Sequence, residues 1–175
     1  MTDRYGNWMQ TYTGVKFYPL DPKVEEINII DIAWALSNQC RFNGHCNKFY
    51  SVAEHSIFVS YNSKGYELEG LLHDAAEAYT GDIIKPIKPF LKEFKEIEDR
   101  LDKEIAKKFN LRYPWPAIVR ETDLRILVDE QRQLMLIPPD DWGLNVSGFG
   151  YDFNFGASPD SIYKIFLNRF LELER

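Results

Sequence analysis

A His-Asp dipeptide set in an apolar run, Leu71-Leu72-His73-Asp74-Ala75-Ala76-Glu77, is the part of this sequence best suited to chemistry. Burying both side chains without partners is costly. A neutral imidazole and a carboxylate are good ligands for Zn, Mn, Co or Fe, and a divalent cation offsets that cost. Neighbours on a helix diverge by ~100°, so a shared metal must lie between the directions of His73 and Asp74. Glu77 follows His73 by four residues and Asp74 by three, so all three can face one cavity. Two further residues complete a ligand set. His55 stands among Val52, Ile57 and Val59, and Asp123 has Val119 before it and Ile126 and Leu127 after it at helical spacing. Taken singly, a hydrogen-bonded core histidine or an Asp paired with an Arg explains each of them. Together, on three apolar helices, one cation accounts for His55, His73, Asp74 and Asp123 at once.

The elements that must position these groups read as helices. Tyr12, Val15, Phe17 and Tyr18, stopped by Pro19 and Pro22, suit a short hairpin or extended arm. Ile32, Ala35 and Leu36 lie at helical spacing behind a cap at Asn28 or Asp31, and that helix should end near Arg41. Ser51 and Glu54 form a capping-box pattern ahead of the helix carrying His55. Leu68, Leu71, Leu72, Ala75, Ala78 and Tyr79 predict a third helix over 67–80, ended by Gly81. Phe90, Leu91, Phe94, Ile97, Leu101, Ile105 and Phe109 trace an amphipathic stripe. The acidic residues of 92–108, Glu93, Glu96, Glu98, Asp99, Asp102 and Glu104, read as a solvated, salt-bridged face. Ala117 through Ile137 resumes helical spacing and Pro138-Pro139 closes it. Residues 140–157, with the aromatics from Trp142 to Phe155, read as a long loop covering the pocket or a subunit interface. Ser158 and Pro159 then open a last helix. The fold class expected is all-α, with a single domain over 1–175.

Composition narrows the function. The chain has 175 residues, 45% of them hydrophobic, and 21 basic against 27 acidic side chains give a net charge of −6. Its 12 Phe, 10 Tyr and 4 Trp supply the bulk for a core, which excludes a disordered chain. The negative total argues against polymeric nucleic acid as a partner. No apolar run reaches a membrane span, and residues 1–4 do not open a signal peptide, so a cytoplasmic protein is expected. All two cysteines and three histidines fall between Cys40 and His73. In the cytoplasm Cys40 and Cys46 stay reduced, and with His45 they lack the paired spacing of a structural zinc site.

The ordered set His55, His73-Asp74, Asp123 resembles the HD-domain metal-dependent phosphohydrolases. Arg41-Phe42, Ser51-Val52-Ala53-Glu54-His55-Ser56, His73-Asp74-Ala75-Ala76-Glu77 and Thr80-Gly81-Asp82 are similar to the bacterial and phage branch of 5'-deoxynucleotidases, which includes viral dATP triphosphohydrolases. The likeness runs roughly over 17–131. It implies an HD-domain helical bundle holding a divalent Zn, Co or Mn on His55, His73, Asp74 and Asp123, with a second Mg or Mn accompanying the substrate. It implies an acid-base role for Glu77, and a role for Asp82 near the sugar or second metal, where the plain alternative is a turn residue. Arg41 resembles the family's phosphate- and sugar-contacting arginine. Phe42 stands where relatives often have Trp, a departure that bears on base and sugar discrimination. His45 lines the same pocket or only bonds the backbone. Lys85 and Lys88 reach the distal phosphates of a triphosphate or are simply exposed.

The activity implied is hydrolysis of deoxynucleotide phosphate esters. Release of triphosphate from a dNTP and a non-hydrolysing nucleotide-binding regulator are the alternatives. A cyclic-dinucleotide phosphodiesterase is less favoured, because its extra Gly-Tyr-Pro signature is not found beside His73-Asp74. Relatives are commonly oligomeric, so at least a homodimer is expected, in the host cytoplasm if the chain is phage-encoded.

Overall fold

The computed structural model describes residues 4–154 and 156–174; Phe155, included in the loop expected above, lies outside them. The chain is mostly helical with one small hairpin. Strands β1 (Met9–Gln10) and β2 (Lys16–Phe17) pair antiparallel, Met9 opposite Phe17. The hairpin is tied to the helices through Asp31, whose carboxylate accepts from Thr13 N, Thr13 Oγ1 and Asn28 Nδ2 at 2.7, 2.9 and 2.6 Å. Phe17 is buried and stacks on Tyr79, with ring centroids 4.0 Å apart.

Helix α1 (Ile29–Asn38) is capped by Asn28, whose side chain accepts from Asp31 N. It stops three residues short of Arg41 because the backbone there pairs elsewhere. Val52 N donates to Gln39 O, Arg41 N donates to Tyr50 O, and Cys40 forms an antiparallel bridge with Ser51. This pairing lays Arg41 beside the start of α2 (Val52–Asn62). Only half of the capping box forms: Ser51 Oγ accepts from Glu54 N, while Glu54 Oε2 is buried without a partner. Helix α2 is buried nearly all round, as the central helix of a core must be, and it packs on α1, α3 (Glu67–Leu72), α6 (Ala117–Leu134) and α7 (Pro159–Leu173). The approach of α3 is close. A Cβ on Gly70 would meet Ser63 Oγ at 2.9 Å and Ser60 Cα at 3.1 Å.

The helix expected over 67–80 is broken. Between α3 and α4 (Glu77–Thr80) the bonds Ala75 N to Leu72 O and Glu77 N to Asp74 O tighten from four-residue to three-residue closure. The His73-Asp74 dipeptide therefore stands in a turn, where neighbouring side chains diverge by ~120° rather than ~100°. Helix α5 (Lys92–Lys108) matches its expected span, but Phe90 is 84% exposed and is not part of its buried stripe. Nor is the acidic face wholly solvated. Glu98 pairs inward with Lys88, and burial together with Asp74 and Glu98 raises the Asp102 carboxyl to about 8. Helix α6 ends at Leu134, three residues before the expected Ile137, because Asn47 caps it: its N–H donates to Leu134 O and its Nδ2 to Gln133 O.

Residues 140–154 carry no helix or strand. They lie against α6, where Asp129 accepts from Phe149 N and Gly150 N, and Phe149 and Phe153 pack near Val59, Val119 and Ile126. Ser158 caps α7 as expected, accepting from Ser161 N. Among the described residues no helix is long and apolar enough to cross a membrane.

Candidate metal centre

Three elements converge on one point. Helix α2 brings His55, the turn between α3 and α4 brings His73 and Asp74, and α6 brings Asp123. One ligand atom from each of His55, His73 and Asp123 lies within 4.8 Å of the others. His55 Nε2 is 3.1 Å from Asp123 Oδ1, and Asp74 Oδ2 is 3.7 Å from His55 Nε2 and 3.3 Å from His73 Nε2. Donors held ~2.0–2.2 Å from a single ion are separated by distances of this size. Asp74 stands at the edge of the group, outside the tightest set of three.

The hydrogen bonds of the two imidazoles test whether a cation fits. His73 Nδ1 is 2.9 Å from Gly70 O, which can only accept, so Nδ1 carries the proton. His55 Nδ1 is 2.6 Å from Glu130 Oε1. Both Nε2 atoms then face inward, and both are buried without a hydrogen-bond partner. The Asp123 oxygen beside His55 is near but not aligned as a hydrogen bond. Nδ1 tied to an acceptor with Nε2 left open is the state in which a histidine binds a metal, so the donor set fits a divalent ion.

Electrostatics agree. Burial pushes the Asp123 carboxyl up, but His55, His73 and Arg41 outweigh it and hold it below the usual carboxylate range. Burial and Arg41 push the His55 imidazole down, and Glu130 and Asp123 more than offset them, raising it to about 9. Against burial, Arg41, His55 and Tyr50 lower Glu130 to about 2. In the metal-free chain His55 is therefore held as a cation among carboxylates, and a metal ion bound there would take the place of its Nε2 proton.

Around this centre lie several of the residues anticipated for substrate and catalysis. Arg41 Nη2 donates to Glu130 Oε2 at 3.1 Å, Nη1 is 3.8 Å from Asp74 Oδ2, and Nε is buried without a partner. Glu77 is 6% exposed, its Oε1 bonded by Lys88 Nζ at 3.3 Å and its Oε2 unpartnered. Burial, then Asp74 and Asp82, raise its carboxyl well above the ordinary value. Asp82 is raised by burial and by Asp74.

Lys88 is committed to Glu77 and to Glu98, at 3.3 and 3.2 Å, rather than free for phosphates. Phe42 packs under Arg41, whose guanidinium carbon lies 5.3 Å from the ring centre, and tilts toward Trp142 at 6.2 Å. Its φ of 56° and that of Asn43, 52°, are left-handed, a strained geometry that gathers at functional loops. Lys85 and His45 are exposed; the His45 backbone N–H donates to Phe42 O. Cys40 and Cys46 are unbridged, with sulfurs 3.6 Å apart.

Glu130 was not singled out by residue type or motif. It is wholly buried and accepts from His55, from Arg41 and, at 2.8 Å, from the Tyr50 hydroxyl. Its signal was present in the spacing. Asp123, Ile126, Glu130 and Leu134 repeat along one face of α6, so an acid at 130 inherits the direction of Asp123 two turns earlier. Cavities of about 540 Å³ by Lys103–Pro114 and about 340 Å³ by Trp34 and Tyr79 are not lined by these groups. Donor chemistry rather than cavity size marks the site.

No family model matches the chain. An uncharacterized protein of Rhodobacter capsulatus is 35% identical over 124 residues, which cover 65% of this chain and 63% of that protein. The uncharacterized protein YfdR of Escherichia coli K12 is 35% identical over 171 residues, covering 95% of this chain and 96% of YfdR. At that identity and coverage, the chain belongs to the same family as YfdR.

Proposed function

We propose that the chain is an HD-type, metal-dependent phosphohydrolase that removes phosphate from 5'-deoxynucleotides. The observation that carries this reading is the pair of buried imidazoles, each with Nδ1 committed and Nε2 open, beside Asp123 and Asp74. A divalent ion on His55, His73, Asp123 and Asp74 would supply Lewis acidity toward a phosphoryl oxygen and make water acidic enough to attack near neutral pH. The chain supplies the rest. Arg41, with Nε unspent, holds phosphate oxygens in a planar fork. Glu77 takes the proton of the attacking water at its free Oε2 and returns one to the departing 5'-oxygen. Burial, then Asp74 and Asp82, keep the Glu77 carboxyl proton-seeking. Phe42 and Trp142 offer aromatic surface at the rim.

A monophosphate is favoured over a triphosphate by the lysines: Lys88 is held by Glu77 and Glu98, and Lys85 is exposed. The substrate is a small nucleotide, the acting species at least a dimer, and the compartment the cytoplasm. Product analysis tests the reading. Incubation with Mn²⁺ or Co²⁺ should release inorganic phosphate from dAMP. Tripolyphosphate from dATP would establish the triphosphohydrolase alternative, and no turnover of either with any divalent metal would defeat both. Glu77→Gln should abolish turnover with metal still bound; unchanged activity removes Glu77 from the mechanism. An unmodified chain that binds metal and nucleotide without turnover is the regulator.

A further inference from the structure

We infer that Glu130 is a positioning residue that locks the ring of His55 to the guanidinium of Arg41, so that a divalent cation and the anion gripped by Arg41 bind with positive cooperativity. The inference rests on the metal reading above and goes beyond it, since neither residue type nor motif gave Glu130 a role.

One carboxylate serves both groups. Its Oε1 accepts from His55 Nδ1 at 2.6 Å and from the Tyr50 hydroxyl at 2.8 Å, and its Oε2 accepts from Arg41 Nη2 at 3.1 Å. A carboxylate is planar, so a rotation that follows one partner displaces the other. All of this is out of water: Glu130 and His55 are both 0% exposed. There the bonds are strong and an abandoned partner is costly. The ring that aims Nε2 at the metal and the cation that faces the substrate are therefore held in one frame.

Arg41 has capacity to spare. Its Nε is buried without an acceptor, and Nη1 faces Asp74 Oδ2 at 3.8 Å, beyond hydrogen-bond length. Asp74 Oδ2 also faces both imidazole Nε2 atoms, at 3.7 and 3.3 Å. When Asp74 turns toward a cation shared with those imidazoles, Arg41 loses the weaker of its two acidic neighbours. Nη1 and Nε would then face an anion without that carboxylate competing for the charge, while Glu130 keeps the guanidinium in place. Cation occupancy thus prepares Arg41 for an anion, and by linkage the anion tightens the cation equally.

The test is a Co²⁺ titration of the whole chain, with and without inorganic phosphate, followed by calorimetry and by the Co²⁺ absorption spectrum, with melting in EDTA to confirm folding. In the wild type, phosphate should tighten Co²⁺ by ~10-fold or more. Glu130→Gln can accept at only one end. It should weaken Co²⁺ by ~10–100-fold and reduce the phosphate effect to a small fraction of its wild-type size. Arg41→Lys keeps the charge but cannot span Glu130 and Asp74, and should alter the Co²⁺ spectrum before phosphate is added. Wild-type affinity, spectrum and phosphate effect in both variants would overturn the inference and leave the metal reading standing. If Glu130→Gln fails to fold, an unchanged spectrum in Arg41→Lys overturns it alone. A wild-type chain that takes up no Co²⁺ overturns the metal reading and this inference together.

Discussion

The two sides of the candidate centre are built differently. On the side of α2 and α6, His55 and Glu130 are wholly buried and bonded to each other, and Glu130 also holds Arg41 within hydrogen-bonding reach. On the side of the 73–88 segment, short helices and a turn carry Asp74, Glu77, Asp82 and Lys88, and buried acceptors such as Glu77 Oε2 are left open. The paired side is fitted to hold, because any motion there would strand a charge in low dielectric. The open side holds Glu77 and Asp82 in surroundings that raise their proton affinity, which is what the proposed acid–base chemistry would need.

His55→Asn breaks the holding side and should have the largest effect. Loss of a ligand should reduce turnover by ~1,000-fold or more, and stranding Glu130 should cost about 2–4 kcal/mol of stability in EDTA. Denaturant melts with and without metal measure both, and a variant with wild-type turnover would put His55 outside the chemistry. Gly70→Ala tests the seam between the sides. Its Cβ would press on Ser63 Oγ at 2.9 Å and displace the carbonyl that fixes His73 Nδ1. A loss of about 1–3 kcal/mol with metal affinity down ~10–100-fold is expected; a stability loss alone would separate Gly70 O from the metal.

Asp102, on the open side, gives the pH dependence. Its folded carboxyl is raised to about 8 by burial, Asp74 and Glu98, from an ordinary 3.8. As pH rises from the unfolded value toward the folded one, the unfolded chain releases its proton first, so stability falls across roughly pH 4–8 and is flat above. Asp102→Asn should therefore stabilise the metal-free chain by on the order of 2 kcal/mol at pH 8 and by much less at pH 5. Equal melting shifts at both pH values would contradict this. Lys85 is exposed, and Lys85→Ala should change KM and kcat by less than ~2-fold. A larger change would mean that Lys85 meets substrate after all.

Much of the holding side was legible in the residues. His55 and Asp123 sat among apolar neighbours at helical spacing, and the caps at Ser51 and Ser158 formed where expected. Glu130 shows only in its spacing from Asp123 and Ile126, because Asp129-Glu130-Gln131-Arg132 otherwise reads locally as a solvated stretch. Its burial is decided by Arg41, His55 and Tyr50, which arrive from distant segments. The break at 73–76 escaped notice for a different reason: three-residue and four-residue closure keep the same apolar residues on nearly the same face over so short a span. Lys88 escaped too, since Pro86 and Pro89 hide any periodicity that would have aimed it at Glu77.

Equilibrium dialysis of the purified chain against Mn²⁺ or Co²⁺, with the His73→Ala variant alongside, tests the central claim most directly. One tightly held ion per chain is expected, lost in the variant, with higher melting temperature in the loaded wild type. Wild-type protein that retains no divalent ion, or a variant that retains it equally, would contradict the metal centre and the function built on it.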